Sequence, residues 1–248
     1  NSQKTAIDEI GSDMAAGHRM LRLLQGDVGS GKTVVALMAM LNAVETGRQA
    51  AMMAPTEILA QQHYATISPL AEAAGVRCAL LTGRYKGKAR DAIVAGVADG
   101  KMPLVVGTHA LFQDDIIFKD LAMAVVDEQH RFGVHQRLLL AEKGAAVDVL
   151  LMTATPIPRT LMLAAYGDLD ESQLREKPAG RKSVKTTTAS IDRLNDAVAG
   201  VERQLDTGGK VFWVCPLVEE SVTVDVAAAT ARHAALRERF GDRVGLVH

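Results

Sequence analysis

The stretch Gly26-Asp27-Val28-Gly29-Ser30-Gly31-Lys32-Thr33 decides the fold prediction for this chain. It satisfies every fixed position of the pattern G-x-x-x-x-G-K-[ST], in which a glycine-rich turn joins a strand to a helix. Glycines let backbone N–H groups turn inward around phosphate oxygens, and the helix N-terminus adds partial positive charge. We therefore expect this loop to bind ATP, with Lys32 on the β- and γ-phosphates and the Thr33 hydroxyl on Mg²⁺.

Around this loop, short apolar runs alternate with amphipathic stretches. Helices are predicted at Val34–Glu45, followed by Gly47, and at Ala89–Asp99, followed by Gly100, because a glycine often stands just past a helix end. Runs that are apolar on both faces suit a parallel sheet covered by helices on both sides. The pattern predicts an α/β fold with a doubly wound parallel sheet. The predicted strands are Met20–Leu24, Ala50–Met53, Cys78–Leu81, Pro103–Val106, Ala122–Val126 and Val149–Met152.

A second lobe is predicted after a cluster of proline, glycine and charged residues. We expect a first, ATP-binding lobe over residues 1–176, a linker over 177–183, and the start of a second α/β lobe over 184–248. The chain begins without Met and stops on a run that resembles a strand end, so we expect this second lobe to be truncated. Its predicted elements are strands at Val184–Thr188, Val211–Val214 and Val244–Val247 and a helix near Ile191–Leu205.

Bulk properties narrow the function classes. The formal net charge is −1, so any contact with nucleic acid must be local rather than a property of the whole surface. Cys78 and Cys215 lie in apolar contexts, and reduced thiols are expected for both. No apolar run approaches the roughly 18 residues of a membrane span, and no signal-peptide pattern is present. These features favour a cytoplasmic protein.

Paired carboxylates follow the apolar run Ala122–Val126. An acidic residue at the end of such a strand can reach the Mg²⁺ of a neighbouring phosphate loop, which makes Asp127 the candidate metal ligand. Glu128 would take the proton from the attacking water. The alternative is an anion pair at a helix N-terminus. Thr153 and Thr155, which close the next predicted strand, could relay the state of the γ-phosphate to other surfaces.

Two further strand ends indicate contact with a phosphodiester backbone. Thr56 is a plausible N-cap, and Gly107-Thr108 follows a predicted strand. Helix N-termini and threonine hydroxyls position backbone phosphates well, although ordinary capping explains either feature alone. A basic stretch between them strengthens the prediction of a strand-binding face. Its members are Arg84, Lys86, Lys88 and Arg90.

The histidines do not indicate a transition metal. The spacing of His63, His109, His130 and His135 fits no zinc pattern, and no cysteine is near them in sequence.

Taken in order, these segments resemble the motifs of superfamily 2 helicases and translocases, and most closely the RecG family of bacterial branched-DNA helicases. The similarity covers essentially the whole chain. Transcription-repair coupling translocases share much of it, whereas Gln129-His130 and His135-Gln136 are more typical of RecG. The resemblance rests on the phosphate loop and on Ala54 to Glu57, Gly107 to Gln113, Asp127 to Arg137, Met152 to Leu161, Tyr166 to Asp170 and Trp213 to Ser221.

The resemblance implies two RecA-like lobes and assigns further roles. Gln3 would read adenine, and Gln129 and His130 would couple the state of ATP to the second lobe. Backbone contacts with DNA would come from Thr56, Gly107 and Thr108. The implied partners are branched or forked double-stranded DNA and a single-strand-binding protein. The implied setting is a monomeric motor at the bacterial nucleoid.

Departures from the family pattern leave alternatives open. The wedge domain that should precede this segment and the later arginine-finger motifs are missing from the sequence. Because an arginine finger supplies roughly 10³ to 10⁵ in turnover, we expect ATP binding with weak hydrolysis. A transcription-repair coupling type translocase and a non-motor ATP-binding module are the main alternatives. A small-molecule P-loop kinase would leave Asp127 to His130 and Thr153 to Thr155 unexplained.

Overall fold

The computed structural model describes residues 1–84, 86–113, 115–127, 147–155, 169–176, 184–215 and 229–247. The chain divides into two compact units, Asn1–Lys182 and Ser183–His248. The predicted linker, residues 177–183, lies outside the described residues. Within the described ranges, no helix is long and apolar enough to cross a membrane.

The first unit is built on a parallel sheet of seven strands in the order β3-β4-β2-β5-β6-β1-β7. The strands are β1 (Leu21–Gly26), β2 (Gln49–Met53), β3 (Cys78–Leu81), β4 (Leu104–Gly107), β5 (Leu121–Asp127), β6 (Asp148–Thr153) and β7 (Asp170–Leu174). The helices are α1 (Ser2–Met14), α2 (Lys32–Glu45), α3 (Glu57–Ala73) and α4 (Lys88–Ala98), and a 3-10 turn spans His109–Phe112.

Successive residues of the central strands enter different apolar layers. In β1, Leu24 belongs to the apolar layer that contains residues of α1, α2 and α3, whereas its neighbour Leu23 belongs to the layer on the opposite face, which contains Val97 of α4. This alternation follows from the two-residue period of a strand, which directs neighbouring side chains to opposite faces. The sheet is therefore covered on both sides, and the predicted doubly wound α/β class is confirmed.

The six predicted strands of this unit are confirmed to within two residues at either end. Two elements were missed. Strand β7, an edge strand that pairs with β1, has the sequence Asp170-Glu171-Ser172-Gln173-Leu174 and therefore lacks the apolar run that marks the other strands. Helix α1 was missed because it is less hydrophobic than α2 and α4, with Ala6 and Ile10 as its buried residues. Both elements are formed by tertiary contacts rather than by a strong local pattern.

The strand predictions for the second unit are wrong. Residues 184–215 and 244–247, which cover all three predicted strands, contain no strand. Val184, Phe212 and Val247 are 79%, 92% and 97% exposed. An apolar run becomes a strand only when another strand pairs with it, so hydrophobicity alone misled the prediction.

Helices dominate the described part of the second unit. A 3-10 turn over Ile191–Arg193 leads into α5 (Leu194–Asp206), which confirms the predicted helix, and α6 (Ala229–Phe240) follows. Val198 from α5 packs with Leu236 and Phe240 in a small apolar cluster.

Candidate functional site

The candidate site lies at the carboxyl edge of the sheet, where β5, β6 and β1 are neighbours. Gln25 of β1 is in register with Thr153 of β6, and Asp127 of β5 is in register with Met152 of β6. Parallel strands end at the same edge, so the turn after β1 and the acidic end of β5 are brought together. This is the position at which open α/β sheets bind ligands.

The glycine-rich loop has the conformation that its sequence predicts. Gly29 and Gly31 have φ angles of 80° and 91°, in the left-handed region where side chains cause strain. Gly31 is the N-cap of α2. A Cβ atom on Gly26 would lie 2.6 Å from the Ser30 hydroxyl and 2.8 Å from Leu174 Cβ, so β7 also requires a glycine there.

Polar groups of the loop are directed into its own turn. The Lys32 ammonium donates to the carbonyl oxygens of Gly26 at 2.6 Å and Asp27 at 3.0 Å. The Ser30 hydroxyl is buried with no hydrogen-bond partner in the described part of the chain. Buried polar groups are normally paired, so an unsatisfied hydroxyl in the same loop as this ammonium fits a loop that binds an anion.

A cleft of about 540 Å³ opens beside the loop. Lys32, Thr33 and Asp127 all line it, so the ammonium, the hydroxyl and the carboxylate share one cavity. Hydroxyl and carboxylate oxygens are ligands that Mg²⁺ prefers. The residues present therefore fit a magnesium nucleotide. The remaining lining residues are Val28, Gly29, Pro55, Thr56, Leu59, His63, Met152 and Ala154.

Asp127 has a partner that sequence reasoning missed. His63 Nε2 of helix α3 lies 2.7 Å from Asp127 Oδ2, and the two side chains are 13% and 10% exposed. His63 had been considered only as a zinc ligand. The helical spacing of Thr56, Leu59 and His63, which all line the cleft, could have placed this histidine on the same face as the N-cap.

Gln3 contacts the phosphate loop from helix α1. Its side-chain amide donates to the Ser30 carbonyl oxygen at 2.8 Å. A Cβ atom at Gly31 would collide with the Gln3 amide nitrogen, so a glycine at this position also admits the glutamine. Adenine recognition by Gln3 stays a prediction.

The remaining predicted nucleotide-site residues divide into two groups. Thr153 is fully buried, its hydroxyl lies 3.0 Å from that of Thr155, and it accepts from the Thr155 backbone N–H at 3.2 Å. Ala154, between them, lines the cleft. Glu128, Gln129 and His130 lie outside the described residues.

A second cleft, also of about 540 Å³ and here called the groove, lies farther along the same edge. Thr56 and Thr108 both line it, and Pro55 and Thr56 belong to the walls of both cavities. Its other lining residues are Glu57, Thr82, Gly83, Lys86, Gly87, Arg90, Asp91, His109, Ala110 and Gln113.

Gly107, the third predicted contact with DNA, has a packing role. It ends β4, and a Cβ atom there would collide with the Leu81 carbonyl oxygen of β3. The close approach of two backbones therefore requires glycine at this position. Its contact with DNA stays a prediction.

Two members of the basic stretch, Arg84 and Arg90, are paired with carboxylates. Lys86 and Arg90 line the groove. Arg90 is ion-paired with Asp115 at 2.5 Å, and Arg84 with Glu57 at 3.0 Å. The groove is therefore mixed in charge, and an incoming phosphate would compete with these carboxylates.

Comparison with known proteins identifies the family. The sequence pattern of the DEAD/DEAH box helicase family matches residues 1–163. The ATP-dependent DNA helicase RecG of Bacillus subtilis is 47% identical over 250 residues, which cover 100% of this chain and 37% of that protein. RecG of Pasteurella multocida is 46% identical over 254 residues, with the same coverage of 100% and 37%. The chain thus spans about 37% of the length of these relatives.

Solved structures give the same result. A structure of RecG bound to a three-way DNA junction matches with a TM-score of 0.76 and 42% identity, covering 96% of this chain and 31% of that one. The helicase MrfA bound to DNA matches with a TM-score of 0.55 and 17% identity over 70% of this chain and 27% of that one, which shows a shared fold. The predicted resemblance to RecG is confirmed. The chain belongs to the DEAD/DEAH box helicase family.

Proposed function

We propose that the protein is an ATP-driven translocase that remodels branched double-stranded DNA, such as stalled forks and four-way junctions, in recombination and repair. The observation that carries this proposal is the placement of Lys32, Thr33 and Asp127 in one cleft that shares Pro55 and Thr56 with a second groove. The relatives support it, since they are ATP-dependent DNA helicases and one RecG was solved on a three-way junction.

On the nucleotide side, Lys32 would offset the charge of the β- and γ-phosphates, while Thr33 and Asp127 would hold Mg²⁺. The metal, when bound, supplies further neutralisation of phosphate charge. Glu128, the next residue after Asp127, would accept the proton of the attacking water. Gln3, which already contacts the loop at Ser30, would read adenine.

On the DNA side, Thr56, Gly107 and Thr108 would contact backbone phosphates, with Lys86 and Arg90 adding positive charge. Such contacts position the strand without reading its sequence, which suits a motor that moves over any DNA. Gln129 and His130, together with the Thr153 and Thr155 pair, would couple the state of ATP to the second unit.

The cellular context of the proposal rests on the likeness to RecG alone. We propose a monomeric motor in the bacterial cytoplasm, at the nucleoid, with a single-strand-binding protein as a further partner. We also propose the domain assignment of a RecA-like lobe over 1–176, a linker over 177–183 and the start of a second RecA-like lobe over 184–248.

The proposal is tested by ATP hydrolysis measured with no DNA, with a linear duplex and with a three-way junction of the same length. A motor on branched DNA should be stimulated most by the junction. A chain that binds ATP but hydrolyses it at one rate in all three conditions would instead be a nucleotide-gated binding module.

The role of Glu128 is tested by Glu128→Gln. We expect this variant to bind ATP as tightly as the wild type and to lose turnover, because the amide cannot accept the proton from water. Binding is followed with a fluorescent ATP analogue and turnover by phosphate release. Normal turnover in this variant would reject the assignment.

A further inference from the structure

We infer that His63 is a positioning residue that orients the Asp127 carboxylate for the magnesium nucleotide and joins it to helix α3, which also forms a wall of the groove. The inference rests on the proposed function. It starts from the 2.7 Å contact between His63 Nε2 and Asp127 Oδ2.

The contact is placed to control the direction of the carboxylate. Asp127 is the last residue of β5, so the sheet fixes its backbone but leaves the side-chain torsions to its contacts. A hydrogen bond to a carboxylate is stronger than one between neutral groups. Ligand carboxylates in metal sites are commonly oriented by such neighbours, and loss of the neighbour typically costs 10- to 100-fold in metal affinity.

Burial protects this hydrogen bond from competition with water. The His63 and Asp127 side chains are 13% and 10% exposed, and both line the nucleotide cleft. Water therefore competes weakly for the hydrogen bond. An apolar residue at position 63 would fill space on the same helix face but would offer no donor to the carboxylate.

Helix α3 extends from this contact to the groove. Its N-cap Thr56 accepts a hydrogen bond from the Leu59 backbone N–H at 3.3 Å, which fixes the first turn. Pro55, Thr56 and Glu57 line the groove. His63 lies seven residues after the N-cap, about 10 Å along a helix. A change in the position of Asp127 would therefore reach the groove wall through one rigid element.

This arrangement predicts coupling between the two ligands. If the magnesium nucleotide and DNA favour the same position of α3, each raises the affinity of the other by the same factor. His63 is the polar link in that coupling. A residue that only packs against its neighbours would leave both the magnesium dependence and the coupling factor unchanged.

The test compares His63→Leu with His63→Gln in the 248-residue chain. Glutamine can place an amide N–H close to the position of Nε2, whereas leucine has no donor. Binding of a fluorescent ADP is titrated in Mg²⁺ and in EDTA. The affinity in Mg²⁺ divided by the affinity in EDTA should fall about 10-fold or more in His63→Leu and recover in His63→Gln. The affinity in EDTA should stay within about twofold of the wild-type value in both variants.

Thermal unfolding of both variants separates positioning from folding. A folded His63→Leu with the wild-type magnesium ratio would overturn the inference. Equal losses in His63→Leu and His63→Gln would also overturn it, since the donor would then be irrelevant. If His63→Leu does not fold, His63→Ala takes its place as the variant without a donor: a tenfold fall in its magnesium ratio that His63→Gln does not show supports the inference, and an unchanged ratio rejects it.

Two further measurements separate this inference from the proposed function. Asp127→Asn should remove most of the magnesium dependence, and if it does not, the proposed metal site is wrong whatever His63 does. A three-way junction should raise the affinity of the wild type for magnesium nucleotide, less so in His63→Leu. An unchanged coupling factor in a His63→Leu variant that has lost magnesium affinity would reject the link through α3.

Discussion

Two sets of buried polar side chains, one at each edge of the sheet, differ in whether they have hydrogen-bond partners. At the amino edge, the Gln49 side-chain amide donates to the carbonyl oxygens of Val97 at 2.9 Å and Met102 at 3.0 Å, and its oxygen accepts from the Asp120 backbone N–H at 3.1 Å. At the carboxyl edge, the buried hydroxyls of Ser30 and Thr82 have no partner within the residues that the structure describes.

The difference shows where the chain stabilises itself and where it is prepared for a ligand. Paired groups at the amino edge tie the strand ends to the neighbouring loops. The unsatisfied hydroxyls at the carboxyl edge line or adjoin cavities, and an unpaired buried hydroxyl is costly unless something else satisfies it. Substitutions at the amino edge should therefore change stability, and those at the carboxyl edge should change binding.

The largest effect is expected from Lys32→Ala at the carboxyl edge. Removal of the ammonium should lower nucleotide affinity by about 100-fold or more, because a hydrogen bond to a charged group contributes up to about 3 kcal/mol. Stability should change less than affinity, since this ammonium donates to the backbone carbonyl oxygens of Gly26 and Asp27 in the loop that binds the ligand. Titration with a fluorescent nucleotide and thermal unfolding measure the two quantities.

The matched control is Lys101→Ala at the amino edge, where the ammonium pairs with Asp99 at 2.8 Å. It removes the same charge and should leave nucleotide affinity unchanged. An equal loss in both variants would mean that net charge, and not the position of Lys32, determines binding.

The next effect is expected from Gln49→Ala at the amino edge. This variant leaves the Val97 and Met102 carbonyls and the Asp120 N–H without their partner, so it should lower the free energy of unfolding by about 2 kcal/mol. Urea unfolding measures the loss. Gln61→Ala, at an exposed glutamine of α3, is the control that should be neutral. A loss of nucleotide affinity in Gln49→Ala without a loss of stability would break the comparison between the edges.

A smaller effect is expected from Arg90→Ala in the groove. If Arg90 contacts one phosphate, the variant should bind duplex DNA several-fold more weakly and the slope of log affinity against log salt should fall by about 1. The contribution of Arg90 to DNA affinity is limited because its guanidinium already pairs with Asp115. Lys101→Ala is again the control. Equal salt slopes in the wild type and Arg90→Ala would place the DNA elsewhere.

The sequence was informative where one local pattern determined one structure. The loop from Gly26 to Thr33 and the strand before Asp127 could be predicted because their chemistry requires particular residues at fixed spacing. The contact of His63 with Asp127 joins residues 64 positions apart, so helical spacing could indicate the face on which His63 lies but not its partner. Glycine is required at position 107 because the Leu81 carbonyl oxygen approaches it closely, and this approach exists only when β3 and β4 are paired.

The second unit shows the limit of apolar patterns. Val211–Val214 has the composition of a strand, yet Phe212 is 92% exposed and the segment forms no strand with any residue that the structure describes. In the first unit, runs of the same kind became strands because each pairs with at least one neighbouring strand, including the edge strand β3, which pairs with β4. Strand formation is a property of the sheet, so a single run predicts it only when its neighbours are also present.

The smallest effect is expected from Asp148→Asn at the amino edge. Burial raises the pKa of Asp148 above its ordinary value, against the opposing effects of a hydrogen bond from the Met20 N–H and of the positive charges of Arg48 and Arg19. A raised folded-state pKa means that folding takes up a proton. Wild-type stability should therefore fall as pH rises from the ordinary aspartate pKa through the raised one, and the full penalty persists above it.

The asparagine variant should escape this penalty, because its amide oxygen can still accept from the Met20 N–H, 2.7 Å from the carboxylate in the wild type. Its unfolding temperature should exceed that of the wild type at pH 7, and the difference should vanish below the ordinary aspartate pKa. Nucleotide affinity should match the wild type at every pH. A variant less stable than the wild type at pH 7 would show that the attraction of Arg48 and Arg19 for the charged carboxylate exceeds the cost of burying it. Asp148 would then stabilise the fold through its charge.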